Sequence, residues 1–361
     1  MNFLKSSIFY LPTSFSLSYF WNMGSMLGLM LISQILTGFF LTFYYSSGVA
    51  FESVQYIMYE VNYGWVFRIL HSNGASLFFI CVYIHIFKGL VYSSYRLVFV
   101  WLTGVLIYFL MMGIAFTGYV LIWGQMSYWA AVVITSLMTS IPVFGKYVVW
   151  WIWGGFSVCS NTLGFFYSIH FILPWVIFIL VIVHLLFLHY TGSSSLLFVH
   201  SDYEKIQFFP AFWFKDVINL VLFFLLVIYI LIWPFEFSDS MMFVESDSMV
   251  SPTHVVPEWY FLYAFTILRA IPNKFFGVVL MFGSVFVLVL LIYPVMSYMV
   301  LDNFLFFLSW ILVWDFFWLT WAGCYPTDYP FNVFNLIFTI IYFFVIFIIV
   351  FLNYLTKILM S

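Results

Sequence analysis

Charge is what this sequence has least of. Only 6% of its 361 residues are Asp, Glu, Lys or Arg, whereas a soluble domain carries about 25% because most of its surface faces water. The shortage excludes a water-soluble globular protein. With 66% hydrophobic residues and a mean hydropathy of +1.14, lipid must be its main solvent. The net charge of −3 is small and scattered, which argues against a nucleic-acid partner. Cysteine is scarce as well. Cys81, Cys159 and Cys324 stand far apart, with no Cys-x-x-Cys and no Cys-x-x-Cys-His. That argues against a disulfide framework, a zinc site and a covalently attached haem. The segment from Met1 to Leu17 lacks a basic n-region with a hydrophobic block and cleavage site, and lacks an Arg-rich transit pattern. A chain this apolar without a presequence is awkward to import, and its 50 Phe suggest a T-rich coding strand. Both fit synthesis inside an organelle.

What is present is a series of long charge-free runs, and a spanning helix needs roughly 20 mostly apolar residues. The sequence predicts eight: Leu17 to Tyr45, Ile69 to Phe87, one starting near Leu97, Thr162 to His189, Val217 to Trp233, Phe275 to Met296, Phe304 to Trp321 and Phe334 to Tyr354. The third run continues to Gly145, too long for one crossing, so the part after Trp123 reads as a surface helix hairpin ending at Pro142. A polar stretch from Asp202 to Asp216 separates two halves, and the most polar loop runs from Glu236 to Lys274. Asp315 lies within the seventh span with no partner assigned from sequence. Eight crossings put both termini on one side. Lys5, Lys88, Arg96, Lys205, Lys215 and Lys357 fall there, against Arg68, Lys146, Arg269 and Lys274 opposite, a bias that places the termini in the matrix or cytoplasm.

Four of the seven histidines form two pairs. His71 and His85 are 14 residues apart on the second span, and His170 and His184 are 14 apart on the fourth. Fourteen steps fall only about 40° short of four turns, so each pair shares a helix face, its members about 21 Å apart along the axis. The two spans run in the same direction, so His71 can face His170 and His85 can face His184. Each facing pair offers two neutral imidazoles to a haem iron, leaving no open position for oxygen. A single intramembrane histidine could equally be a packing residue or part of a proton path; two pairs at one spacing favour haem. Gly24 and Gly38, and Gly104 and Gly118, repeat the spacing of 14 on the first and third spans. Glycine there lets something approach the backbone closely, read as each haem edge against a glycine of each flanking helix. Arg68, three before His71, and Lys88, three after His85, are placed to meet haem propionates, although either could instead snorkel to the interface.

Longer motifs join these. Gly64-Trp65 with Arg68-x-x-His71-x-Asn73-Gly74-Ala75-Ser76, Gly118-Tyr119-Val120-Leu121-x-Trp123-Gly124-Gln125, Trp151-Ile152-Trp153-Gly154-Gly155, His184-Leu185-Leu186-Phe187-Leu188-His189, Pro257-Glu258-Trp259-Tyr260 and Arg269-x-Ile271-Pro272-Asn273-Lys274 resemble the cytochrome b family, from about Trp21 to the C-terminus. The fold then expected is an all-α membrane protein with eight transmembrane helices. Residues 1–200 would form a four-helix bundle enclosing two b-type haems, with the surface hairpin; residues 201–361 would carry the Pro-Glu-Trp-Tyr loop and four spans.

The resemblance implies quinol:cytochrome c oxidoreduction by the Q cycle in the mitochondrial inner membrane, both termini on the matrix side. Quinol would be oxidised at an outer site of Glu258, Pro257, Tyr119 and Ala130, with Glu258 and Tyr260 catalytic. Electrons would pass from the outer haem (His71, His170) to the inner one (His85, His184) and on to quinone at an inner site of His189, Asp216 and Ser25. A Rieske iron–sulfur protein, cytochrome c1, other subunits of the bc1 complex and a second copy of the chain are the implied partners. A carboxylate in partly apolar surroundings suits proton acceptance, which fits Glu258. Asp216 is expected at the start of the fifth span, where an anion also suits a helix N-terminus. Three departures stand out. Phe165 replaces the arginine usual for the outer haem's propionate, leaving neutralisation to Arg68 and backbone donors. Lys88 stands where an arginine is usual. Ala130 stands where glycine is usual, which implies weaker inhibition by methoxyacrylate-type compounds. The segment before Trp21 is also short for a surface helix. Two rivals remain: a dihaem membrane anchor, which would lack the Pro-Glu-Trp-Tyr loop, and a proton-coupled transporter, which would bind no haem.

Overall fold

The computed structural model describes residues 10–195, 202–292 and 299–360; Lys5 and Met296, which figure in the expectations above, lie outside them. Among the described residues, eight helices are long and apolar enough to cross a membrane: Tyr19–Leu41, Gly64–Val91, Val98–Val120, Ser160–Thr191, Phe208–Ile232, Lys274–Ile292, Asp302–Gly323 and Phe331–Leu355. The number matches expectation; the lengths do not. The second span starts at Gly64, five residues before the charge-free run, and the fourth extends to 32 residues. Arg68 and Lys88 thus lie inside a helix that the charge pattern would have cut short. Long side chains with cationic tips can be carried within a span's ends.

The α-helices are α1 (Met23–Leu41), α2 (Ala50–Tyr59), α3 (Gly64–Val91), α4 (Val98–Val120), α5 (Gln125–Ser136), α6 (Gly145–Trp153), α7 (Ser160–Thr191), α8 (Phe208–Ile232), α9 (Leu262–Ala270), α10 (Lys274–Phe286), α11 (Met299–Gly323) and α12 (Phe331–Met360). α1 packs antiparallel on α3 and α4 on α7, giving the four-helix bundle. α5 and α6 form the hairpin after Trp123, but its second helix, α6, lies beyond Pro142, the end expected from the sequence. Gly154, in the left-handed conformation at φ 65°, closes α6, and Gly192 at φ 74° ends α7 just before Ser193-Ser194-Ser195. No helix lies between Tyr10 and Ser18; Pro12–Ser14 instead pairs antiparallel with Lys205–Gln207, and Ser14 and Ser16 donate to Glu204 at 2.7 and 2.8 Å. The N-terminal segment is thereby tied to the link between the halves.

Two helices were not legible as spans. α2, just before α3, is only 10 residues long, and α9 lies within the loop from Glu236 to Lys274, one residue after Pro-Glu-Trp-Tyr. Arg269, in the last turn of α9, donates to the carbonyls of Tyr325 (2.9 Å), Ala322 (3.3 Å) and Gly323 (3.2 Å). These belong to the end of α11 and the turn beyond it, where helix carbonyls lack intrahelical partners. One expectation is corrected here. α8 begins at Phe208, not at Asp216, with non-helical geometry at Phe209, so Asp216 sits two turns inside the helix and its carboxylate is free for side-chain partners.

The halves are joined by phenols. The Tyr83 hydroxyl donates to the Tyr260 carbonyl, and Tyr108 pairs with Tyr263 at 2.9 Å and reaches Tyr83 at 3.4 Å; within the second half Tyr342 donates to Ser284 O at 2.8 Å. All four rings are buried among Phe316, Leu312 and Ile346. Asp315 is buried on α11, one of its oxygens without a hydrogen-bond partner among the described residues.

Candidate functional site

The four histidines meet in two pairs. The ring centroids of His71 and His170 are 6.0 Å apart with planes at 90°, and those of His85 and His184 are 6.4 Å apart at 61°. Two metal–imidazole bonds of about 2 Å, plus the distance from each bonding nitrogen to its ring centre, come to about the same separation. Among the described residues no group of three or more histidine, cysteine or acidic side chains gathers as a metal site. Each pair therefore supplies two ligands and suits an iron that arrives with its own equatorial donors. The residues present fit haem.

Three of the four rings are also aimed. Nδ1 of His71 meets Thr37 Oγ1 at 3.0 Å, Nδ1 of His184 meets Thr103 Oγ1 at 2.9 Å, and Nδ1 of His170 donates to Ile114 O at 2.9 Å. With Nδ1 engaged, Nε2 is the nitrogen left for a metal. The four glycines of the repeat stand opposite these rings, one to each. A Cβ on Gly38 would come within 2.7 Å of His71 Cε1, one on Gly118 within 2.8 and 2.9 Å of the His170 nitrogens, one on Gly104 within 3.3 Å of His184 and one on Gly24 within 3.6 Å of His85. The outer pair is thus the tighter fit. Thr37 and Thr103, which sequence reasoning did not single out, each immediately precede one of these glycines; Thr-Gly also occurs at 117–118, so the dipeptide was a readable signal.

A cavity of about 450 Å³ opens from the outer pair. Gly38, Arg68, His71, Gly118, Tyr119, His170, Glu258 and Tyr260 all line it, so the structure brings most of the expected outer residues around one space. Pro257 and Ala130 are not among its lining residues. Ala130 is buried in α5, which is bound to the loop from Glu236 to Lys274: Gln125 N donates to Val244 O at 2.9 Å, and Trp129 Nε1 donates to Val250 O at 3.1 Å. The Glu258 carboxyl hydrogen-bonds the Tyr119 hydroxyl, and burial pushes it up to about 7, with Asp239 adding to the rise and Tyr119 opposing it. Tyr260 is 4% exposed, its ring stacked on Phe79 at 4.3 Å and 4°, which fixes Glu258 against α3.

At the opposite end Asp216 accepts from Ser25 Oγ at 2.6 Å and Asn22 Nδ2 at 2.8 Å. Asn219 donates to Ser25 Oγ and to Asn22 O, both at 2.6 Å, and Tyr19 donates to Asn219 Oδ1. Asn22, Asn219 and Tyr19 were missed in the sequence, because amides and a phenol at a span's end carry no spacing signal. His189, in the last turn of α7, has no hydrogen-bond partner among the described residues, and Lys215 donates to Leu17 O at 2.7 Å instead of joining the cluster. Lys88 lies 4.3 Å over the Trp21 ring and donates to Ser94 at 3.2 Å.

Comparison with known proteins covers nearly all of this architecture. Residues 8–192 match the family described as cytochrome b/b6/petB, and residues 245–343 match cytochrome b(C-terminal)/b6/petD. The chain is 54% identical to cytochrome b of Caenorhabditis elegans and 53% identical to that of Caenorhabditis briggsae, each over 287 residues, 79% of this chain and 78% of the relative. Its fold matches a chain of a hyperthermophilic respiratory complex III with a TM-score of 0.90 at 27% identity, covering 98% of this chain and 96% of that one.

Proposed function

The chain belongs to the cytochrome b family and is the core subunit of a quinol:cytochrome c oxidoreductase, and we propose that it holds two b-type haems and works through separate quinol and quinone sites at opposite faces of the membrane. His71 and His170 hold the outer haem, His85 and His184 the inner. When bound, a bis-histidine haem supplies one-electron transfer with no coordination position open to oxygen.

The residues around the outer cavity do the proton chemistry. Glu258 accepts a proton from quinol, because a carboxyl titrating near 7 is a base matched to neutral pH. Tyr119 orients that carboxyl, Tyr260 walls the pocket from Phe79, and Pro257, whose ring fixes its own φ, sets the backbone that presents Glu258. Ala130 supports the loop from the hairpin, one helix back from the pocket. At the inner face Asp216, held by Ser25 and Asn22, and His189 at the end of α7 deliver protons to a reduced quinone's oxygens. Arg68 meets an outer propionate, while Gly24, Gly38, Gly104 and Gly118 leave room for the imidazoles.

Residues 1–200 form the haem bundle and residues 201–361 the part that closes the outer pocket. The protein resides in the mitochondrial inner membrane with both termini in the matrix, the side holding six of its ten lysines and arginines. It assembles with a Rieske iron–sulfur protein, cytochrome c1 and a second copy of itself.

The observation that carries this reading is the placing of two imidazole pairs at 6.0 and 6.4 Å with Glu258 on the cavity of the first. A reduced-minus-oxidised spectrum of the purified complex tests it. Two b-type bands are expected, with His170→Ala removing one and leaving the other. A single band in the unaltered complex, or loss of both in a His170→Ala complex that still assembles, overturns it.

A further inference from the structure

Haem brings two propionates, yet among the described residues lining the outer cavity Arg68 is the one lysine or arginine. Phe165, where a second cation is expected, turns away: its ring packs against Trp151 at 5.2 Å and 70°, and it is not among the lining residues. The cavity wall offers a different group. Arg68 stands three residues before His71 on α3, and Tyr167 stands three residues before His170 on α7. Both helices run the same way, and a side chain three residues back lies on the same face as its histidine. Tyr167 therefore occupies on α7 the place that Arg68 occupies on α3, and both line the cavity.

Tyr167 is held there. Its ring stacks on Tyr45 at 5.3 Å and 27°, and its hydroxyl hydrogen-bonds Thr42. Tyr45 is itself fixed, donating to Leu121 O at 2.8 Å, and Thr42 and Tyr45 both line the cavity. Thr42 Oγ1 already gives its own proton to Phe39 O at 2.7 Å, and a phenol can both accept and donate, so the Tyr167 proton can turn from Thr42 to an anion that enters the cavity.

Resting on the haem reading above, we propose that Tyr167 is the second carboxylate-binding group of the outer haem site, donating a hydrogen bond to one propionate while Arg68 pairs with the other, with Tyr45 and Thr42 as positioning residues. The ligand class is an alkyl carboxylate entering at the outer rim of the cavity. A hydroxyl donor partly offsets the carboxylate's charge, and losing it makes the site harder to reduce.

Redox titration of the whole complex, read separately at the two b-type bands, is the test. At a fixed ambient potential Tyr167→Phe is expected to raise the oxidised-to-reduced ratio of the outer haem about threefold, or ~28 mV for a one-electron couple, and to leave the inner haem unchanged. Tyr45→Phe, which keeps the ring stack but frees the platform from Leu121, should shift the outer haem the same way by less. An outer ratio unchanged in both variants overturns the inference while leaving the two-haem reading intact. So does a raised KM for quinol with an unchanged outer ratio, which would give the hydroxyl to the substrate. Fewer than two bands in the unaltered complex would instead remove the reading beneath it.

Discussion

Gly118→Ala is the sharpest perturbation the bundle offers. The new methyl would lie 2.8 Å from His170 Nδ1 and 2.9 Å from Nε2, and nearer still to Cε1, where ordinary contacts begin at 3.4 Å. The ring must retreat by about 0.5–1 Å, but Nδ1 is held by Ile114 O at 2.9 Å. Forcing a methyl into packed surroundings costs about 1–3 kcal/mol. At 1.4 kcal/mol per tenfold, retention of the outer haem should weaken by roughly 5- to 150-fold. Gly24→Ala is the control: its methyl would sit 3.6 Å from His85, an ordinary contact, and should change nothing. Haem content and the reduced-minus-oxidised spectrum of each purified complex read the outcome. Gly118→Ala should lose the outer band and keep the inner, and Gly24→Ala should keep both. Equal behaviour of the two variants would refute the assignment of these glycines to the imidazoles.

Three further outcomes follow from the same geometry. Quinol oxidation should rise as pH increases through about 7, because the carboxyl of Glu258 is protonated below that value and a base above it; Glu258→Gln should lower the rate and flatten that limb, and a limb surviving in the variant would assign it elsewhere. Thr103→Val removes the hydroxyl at His184 Nδ1 and should weaken inner haem retention by about 10–100-fold, measured as loss of the inner band under mild detergent washing. Asp216→Asn disrupts the acceptor of Ser25 and Asn22; it should slow quinone-dependent reoxidation at the inner site several-fold, while pre-steady-state reduction of the outer band by quinol stays at the unaltered rate.

Periodicity explains which parts of this protein could be read from its letters. Histidines and glycines at a spacing of 14 declare a shared helix face whatever surrounds them, so the pairing of helices was visible before any coordinates. Charge-free runs gave the number of spans, but not their ends, because Arg68 and Lys88 sit inside a helix whose rim tolerates cations. Asp216 was misplaced for the converse reason: the aromatic segment Phe208 to Phe214 looks like an interfacial link and is in fact the first turns of α8. The inner cluster of Tyr19, Asn22 and Asn219 joins residues about 200 apart in sequence, and no local pattern announces such a meeting. Tyr167 was legible in principle, three before a ligand as Arg68 is, but a tyrosine in a chain with 26 of them does not stand out.

The run of phenols from Tyr263 through Tyr108 and Tyr83 to the Tyr260 carbonyl has a mechanical meaning. Hydrocarbon offers no replacement donors or acceptors, so prising the halves apart would strand several hydroxyls at once in oil. The seam should therefore behave as a latch, fully shut or fully open, and the backbone carrying Glu258 inherits that stiffness because the last bond in the run ends on its neighbour two positions along.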